Sequence, residues 1–143
     1  MKVAFYKGSS GIVSKLIKLW TRSKYSHCEL VFDGDLRFSA DPEMPMHTRF
    51  SLKEMEPGKW DFIELPLDPE QENEIHAYFL TEMNCRYDWV GIFLSQFIPL
   101  GYQSESKWFC SEVCVAGLQQ AGLLTDIKPN RVSPGKLYKL LNK

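Results

Sequence analysis

Short runs in which apolar and polar residues alternate predict the strands of this chain. Alternation places every second side chain on one face, which is typical of a half-buried strand. Asp33-Gly34-Asp35 lies between two of these runs and predicts a hairpin. The predicted strands are residues 3–6, 27–32, 36–40 and 60–65, with an edge strand at 49–52.

Apolar residues three or four positions apart predict helices elsewhere. The clearest helix start is at Asp68, because Asp68 can cap the helix, Pro69 suits its first position and Gln71 can close a capping box. The predicted helices are residues 12–20, 68–83, 87–98 and 110–121, followed by a short helix after Ser133-Pro134.

The predicted strands cluster between helices instead of alternating with them. This order favours an α+β fold in which an antiparallel sheet packs against helices. A length of 143 residues suits one domain with a hydrophobic core, so we expect a single domain over residues 1–143. The most apolar stretch, residues 90–100, is interrupted by Ser95, Gln96 and Pro99, so we expect no transmembrane segment.

Charge is distributed unevenly along the chain, although the net charge is only −1. Residues 1–28 contain six Lys and Arg residues and no acidic residue, which would attract an anionic substrate or an acidic surface. Alternatively, Lys15 and Lys18 are simply the solvent-facing side of the first helix. We expect no nucleic-acid partner, because no strongly basic domain or reader motif is present. The apolar side of the first helix consists of Ile12, Val13, Leu16, Ile17, Leu19 and Trp20.

Cys110 stands where the last long helix is predicted to begin. The free N–H groups and the dipole at a helix start stabilise a thiolate, and the same groups can hold an oxyanion after attack on a carbonyl. Ser111 and Glu112 suit the first turn of that helix. The alternative is that Cys110 is a small buried hydrophobic residue, which is how we interpret Cys114.

His27 opens a predicted strand, and alternation decides which residues share its face. His27 and Glu29 point toward one face, whereas Cys28 points toward the apolar face that should meet the core. A cysteine hydrolase needs at least a thiolate nucleophile and an imidazole base, so His27 is the candidate partner of Cys110. His47 and His76 are interpreted as structural or surface residues.

A zinc site is the competing interpretation of the cysteines. It would combine His27, Cys28, Cys110 and Cys114, but adjacent strand residues point to opposite faces and no C-x-x-C pair is present. We therefore expect no metal and no other cofactor. The four cysteines, which include Cys85, are expected to be free thiols.

Two ordered motifs resemble a known family. Ser26-His27-Cys28-Glu29-Leu30-Val31-Phe32, followed much later by Phe109-Cys110-Ser111-Glu112-Val113, resembles the circularly permuted NlpC-like papain-fold hydrolases. That group includes bacterial and phage proteins and the relatives of lecithin retinol acyltransferase. Tyr87-Asp88-Trp89-x-Gly91 and Val132-Ser133-Pro134 are similar to two further elements of the family, so the resemblance covers nearly the whole chain.

The resemblance implies Cys110 as the nucleophile and His27 as the general base that later acts as an acid. A third polar residue should orient the imidazole, and Ser39 falls at that position, where a carboxylate, amide or imidazole is more usual. Glu29 also departs from the family, which commonly has a small residue there. Our hypothesis is that Glu29 supplies the orienting carboxylate, directly or through Ser39. The alternative is that Glu29 is a pocket or solvent-facing acid.

The predicted function is a cysteine hydrolase that cleaves an amide bond, in a peptide or a cell-wall peptide, through an acyl-enzyme. The alternatives are an acyltransferase or thioesterase acting on a lipid or acyl substrate, and a non-catalytic binding module on the same fold. Tyr25, Ser39 and Ser111 are the candidate substrate-binding residues. We expect a peptide or acyl-containing substrate, and the candidate substrates include negatively charged molecules. No secretory signal is evident, so a cytoplasmic location is expected, with a phage-encoded or otherwise delivered protein as the alternative.

Overall fold

Five strands form one antiparallel sheet in the computed structural model, which describes residues 1–9, 11–40, 48–83, 86–87 and 107–143. The strands are β1 (Lys2–Tyr6), β2 (His27–Val31), β3 (Arg37–Ala40), β4 (Thr48–Ser51) and β5 (Trp60–Glu64). Their spatial order is β4-β3-β2-β1-β5, so the strand that carries His27 is central. Two further strands of two residues each, β6 (Arg86–Tyr87) and β7 (Lys107–Trp108), pair in parallel.

Four helices accompany the sheet in the described part of the chain, which confirms the predicted α+β class with an antiparallel sheet. Short 3-10 turns lie at Asp33–Asp35 and Pro129–Arg131. The helices are α1 (Gly11–Thr21), α2 (Pro69–Thr81), α3 (Cys110–Gln120) and α4 (Pro134–Leu141).

The predicted hairpin between β2 and β3 is present. Gly34 has a φ of 70°, a left-handed conformation that glycine adopts without steric cost, and it turns the chain back on itself. Leu30 pairs with Phe38 and Val31 pairs with Arg37. The same register continues to place Glu29 level with Ser39, as the sequence predicted.

The start of α2 also follows its sequence. The Asp68 side chain accepts from the Gln71 N–H at 2.9 Å, and the Gln71 side chain accepts from the Asp68 N–H at 3.1 Å, with Pro69 as the first helical residue. This reciprocal pair satisfies two N–H groups that a helix start would otherwise leave unpaired. The helix ends at Thr81, two residues before the predicted end.

The core lies between the sheet and the helices α2 and α3. Phe79 of α2 stacks on Phe38 of β3 with ring centroids 4.0 Å apart, and both rings are fully buried. Gly117 of α3 faces the same ring so closely that an added Cβ would overlap Phe79. A glycine at this point therefore lets the two helices approach each other.

Helix α1 is oriented differently from the expectation for an amphipathic helix. Ile12, Leu16 and Leu19 are 76%, 55% and 77% exposed, whereas Ser14 and Ile17 are buried. Three members of the apolar side therefore face solvent, whereas the apolar side of an amphipathic helix usually faces the core. Hydrogen bonds of Ser14 and Lys18 fix the opposite side of the helix against the rest of the protein. Hydrophobic periodicity does not reveal such contacts.

Several predictions fall on residues outside the described ranges. They include residues 88–98 of the helix predicted at 87–98, the loop at 41–46, and the residues Cys85 and His47. Tyr87, predicted to open that helix, instead ends strand β6, where it pairs with Trp108. Among the residues that are described, no helix is long and apolar enough to cross a membrane.

Candidate active site

Helix α3 begins at Cys110, the residue at which the sequence predicted its start. Phe109 has an extended backbone, and its N–H donates to the Glu112 side chain at 3.4 Å. The Ser111 hydroxyl donates to the carbonyl of Val132, which fixes the first turn to the segment before α4. Cys110 is fully buried. The start of the helix is thus anchored on both sides of the thiol.

Two further thiols lie against this helix start. The Sγ atoms of Cys28 on β2 and Cys114 on α3 are 3.9 Å apart, and Cys28 also forms a hydrogen bond with Cys110. Cys114 is fully buried among apolar neighbours, as its sequence context predicted, and all three described cysteines are free. Burial raises the pKa of Cys28, and so do its hydrogen bonds to Cys110 and Cys114. Cys28 therefore stays protonated and can donate to Cys110.

The imidazole of His27 is held on one side. Its Nε2 lies 3.2 Å from Oε1 of Glu29 and 3.3 Å from Oγ of Ser39. Ser39 donates its own proton to the carbonyl of Cys28 at 2.9 Å, so its oxygen is left to accept from the ring. Both contacts favour the tautomer with the proton on Nε2. Nδ1 is buried and has no hydrogen-bond partner within the described ranges.

Glu29 is itself held by Arg37, a residue that sequence reasoning missed. Nη1 of Arg37 lies 2.8 Å from Oε2 of Glu29, and the guanidinium also donates to the Lys53 carbonyl and, at 3.4 Å, to Ser51. Arg37 is only 6% exposed. Strand alternation could have indicated Arg37 as a candidate, because it precedes Ser39 by two strand positions and therefore shares its face.

The charges of the site favour a thiolate–imidazolium pair. Burial by itself raises the pKa of Cys110, but the hydrogen bond from Cys28 and the positive charge of His27 outweigh burial and lower the pKa to about 5. Burial by itself lowers the pKa of His27, but the Cys110 thiolate and Glu29 outweigh it and hold that pKa well above its usual value. Each group thus stabilises the charged form of the other.

Trp60 is a second neighbour that the sequence did not reveal. Tyr6 pairs with His27 on one side and with Trp60 on the other, so the three residues form a row across β2, β1 and β5. The Trp60 ring is 6.4 Å from the His27 ring, centroid to centroid, at an interplanar angle of 70°. Only the register of three strands brings them together, and a single sequence does not fix that register.

The remaining predicted site residues have structural partners. Tyr25 is buried and donates to Asp61 at 2.7 Å, while Lys7 and Lys24 also bind that carboxylate and hold the pKa of Asp61 far below its usual range. Ser111 donates to a backbone carbonyl, as described above. Of the three predicted substrate-binding residues, only Ser39 contacts the imidazole directly.

His76 packs against the rings of Phe32 and Phe50, in line with its interpretation as a structural residue. Within the described ranges, no group of three or more His, Cys, Asp or Glu side chains is arranged to hold a metal ion. No protein-family model matches this chain, and no curated protein sequence matches it.

Proposed function

We propose that this chain is a cysteine hydrolase that cleaves an amide bond in a peptide through an acyl-enzyme on Cys110. The observation that carries the proposal is the His27 ring. Glu29 and Ser39 engage its Nε2, and its buried Nδ1 is left without a hydrogen-bond partner among the described residues. The raised pKa of His27 and the lowered pKa of Cys110 further support an interaction between the two groups. We also propose that the fold is the permuted papain-like one, since the histidine strand precedes the cysteine helix.

In the first step the Cys110 thiolate attacks the carbonyl carbon of the substrate. A C–S bond forms, and the carbonyl oxygen takes the electron pair. N–H groups at the start of α3 are suited to stabilise that oxyanion, because no helical carbonyl accepts from them. The imidazolium of His27 then gives its proton to the leaving amine as the C–N bond breaks.

In the second step water cleaves the resulting thioester. Neutral His27 accepts a proton from the water as its oxygen attacks the acyl carbon, the C–S bond breaks and the carboxylic acid leaves. The thiolate and the imidazolium are then restored. The free Nδ1 is the nitrogen that exchanges protons in both steps, because Nε2 stays engaged by Glu29 and Ser39.

Glu29 acts as a positioning residue in this mechanism. Its carboxylate favours the imidazolium and fixes the ring orientation, and Arg37 fixes the carboxylate in turn. This arrangement supports the hypothesis that Glu29 orients the His27 imidazole. Ser39 stands at the position where the enzymes that the two motifs resemble usually have that orienting residue, but a serine is unusual there.

Acyl transfer or thioester hydrolysis on an acyl substrate is the second candidate function. It would use the same thiolate and the same first bond-forming step. The observation that favours it is the exposed apolar side of α1, next to the strand end that carries His27.

Alkylation by iodoacetamide tests whether the thiol is activated. Cys28, Cys110 and Cys114 are all fully buried, so the other two serve as matched controls for access. We expect Cys110 to be labelled much faster than either control at mildly acidic pH, because its lowered pKa keeps it a thiolate there. Equal, slow labelling of the three thiols would support a non-catalytic binding module instead.

Reporter substrates then separate the two chemistries. The protein is incubated with a peptide-amide library and with acyl-ester reporters, and the adduct on Cys110 is identified by mass spectrometry. Turnover of amides supports the hydrolase, whereas turnover of acyl esters alone supports the second candidate. A Cys110→Ser variant should lose either activity.

A further inference from the structure

The outward side of α1 carries a continuous apolar stripe. Ile12, Leu16 and Leu19 follow the i, i+4, i+7 spacing that places side chains on one face of a helix, and each is more than half exposed. Isolated exposed apolar residues are common, but a contiguous stripe of large ones on one element marks an interaction site. The stripe therefore needs an occupant.

The inward side of the same helix is fixed by polar contacts. Ser14 is buried and its hydroxyl lies 2.7 Å from that of Ser26. The Lys18 amine reaches the carbonyls of Lys7 at 2.5 Å and Gly8 at 2.6 Å. Turning the helix to bury the apolar stripe would break these hydrogen bonds. The outward orientation is therefore specified by the fold.

The charged residues of α1 and of the segments next to it in the sequence are all basic. Residues 1–28 contain six basic and no acidic residues. Lys15 and Arg22 are exposed, and neither has an ion-pair partner among the residues that the structure describes. Asp61, the acid that reaches this region, is already bound by Lys7 and Lys24. The stripe is thus flanked by the basic residues Lys15 and Arg22. Such a helix complements a surface with an apolar interior and negatively charged groups on its outside.

We propose that α1 docks in the plane of a membrane that contains anionic lipids. The apolar stripe enters the boundary between headgroups and acyl chains, and Lys15 and Arg22 meet the lipid phosphates. The eleven residues of α1 extend about 16 Å, which suits a helix that lies along the surface.

Docking would bring the candidate site close to lipid. The Ser14 hydroxyl forms a hydrogen bond with that of Ser26, the residue before His27, so α1 lies beside the start of β2. Membrane binding itself requires no chemistry at Cys110. For the second candidate function, which this inference would extend, the acyl-containing substrate would be reached from the membrane surface.

Vesicle co-sedimentation tests the docking. The full chain is mixed with vesicles of phosphatidylcholine and phosphatidylglycerol, or with vesicles of phosphatidylcholine alone. We expect binding to the anionic vesicles that weakens as salt is added, and weak binding to the neutral ones. An exposed basic residue near an anionic surface strengthens binding about fivefold, so Lys15→Glu with Arg22→Glu should reduce binding by more than tenfold. Lys139→Glu with Lys143→Glu, on the C-terminal helix and tail, is the matched control.

The apolar contribution is tested by replacing Ile12, Leu16 and Leu19 together with serine. These side chains are exposed, so the variant should keep the wild-type far-UV spectrum and melting curve while losing most vesicle binding. Leu80→Ser, an exposed leucine of α2 that is 54% exposed, is the control and should bind normally.

Three results would overturn the docking proposal. The first is wild-type protein that fails to bind anionic vesicles, and the second is a triple serine variant that binds them equally well. The third is concentration-dependent dimerisation that the triple variant abolishes while vesicle binding is absent, which would assign the stripe to a second copy of the chain. Cys110→Ser should bind vesicles like the wild type, so failure of the docking and failure of the proposed chemistry remain distinguishable.

Discussion

Arg37 and Glu29 form an ion pair across the β2–β3 hairpin, with Nη1 of Arg37 2.8 Å from Oε2 of Glu29. The other carboxylate oxygen of Glu29 contacts Nε2 of His27 at 3.2 Å. Both partners of the ion pair are largely buried, with side chains 7% and 13% exposed. A single carboxylate thus connects a fixed positive charge to the imidazole of the candidate site.

Replacing Arg37 with glutamine should destabilise the protein markedly. Removing one partner of a buried ion pair leaves the other charge unpaired, which costs about 3–5 kcal/mol of unfolding free energy. Urea denaturation measures the loss. Lys59→Gln, which breaks the exposed pair with Glu56, is the control and should change little. An Arg37→Gln variant as stable as the wild type would show that this ion pair is dispensable.

The alkylation rate of Cys110 should depend on pH in a way that identifies its partner. The thiolate is the reactive form, so the rate rises as pH increases through the thiol pKa, with half of the maximal rate at about pH 5 in the wild type. In His27→Gln the midpoint should move upward, toward the ordinary range for a thiol, because the stabilising positive charge is gone. Rapid-quench alkylation followed by mass spectrometry gives both profiles. An unchanged midpoint would mean that His27 does not activate Cys110.

Glu29→Gln and Ser39→Ala should separate the two groups that contact Nε2. Glu29 raises the pKa of His27, so losing its charge lowers that pKa and moves the alkaline limb of the rate profile to lower pH. We expect kcat/KM to fall about tenfold or more for Glu29→Gln, because the ring also loses the carboxylate that fixes its orientation.

Ser39→Ala keeps that charge, so its alkaline limb should stay near the wild-type position while the rate falls less. The two variants are compared with whichever reporter substrate the wild type turns over. If Glu29→Gln retains the full rate, Glu29 is not the orienting group.

Gly117→Ala should destabilise the packing of α3 on α2. The added methyl group would overlap the Phe79 ring, which cannot retreat because it stacks on Phe38 inside the core. Overpacking of this kind costs about 1–3 kcal/mol, measurable by urea denaturation. Combining it with Phe79→Leu, which makes room, should cost less than the two single changes summed. Strict additivity would show that the methyl group and the ring do not collide.

Local signals predicted much of the fold. The capping box at Asp68 and Gln71, the turn at Gly34 and the helix start at Cys110 depend on neighbouring residues, and each was found where the sequence placed it. Alternation also predicted that His27 and Glu29 share a face, and the two side chains are in contact. These features require no knowledge of how distant segments pack.

The rest depended on contacts between distant segments. The apolar periodicity of α1 predicted a helix but not which side faces inward, because Ser14 bonds to Ser26 and decides the orientation. Strand register brought Trp60 to His27. Alternation placed Arg37 on the face of Ser39, but its choice of Glu29 as ion-pair partner was not determined by alternation. Neither quantity can be calculated from one sequence, since each is selected by the packing of the whole sheet.

The contact between Cys28 and Cys114 joins positions 86 residues apart, and Cys110 receives its hydrogen bond from the same strand residue. The acidity of Cys110 therefore exists only while β2 and α3 are packed together, because an unfolded chain returns the thiol to its ordinary pKa. The rate at which a small reagent alkylates Cys110 at mildly acidic pH would thus report whether the protein is folded. The rapid reaction of this single thiol should vanish in the same urea range as the tertiary structure.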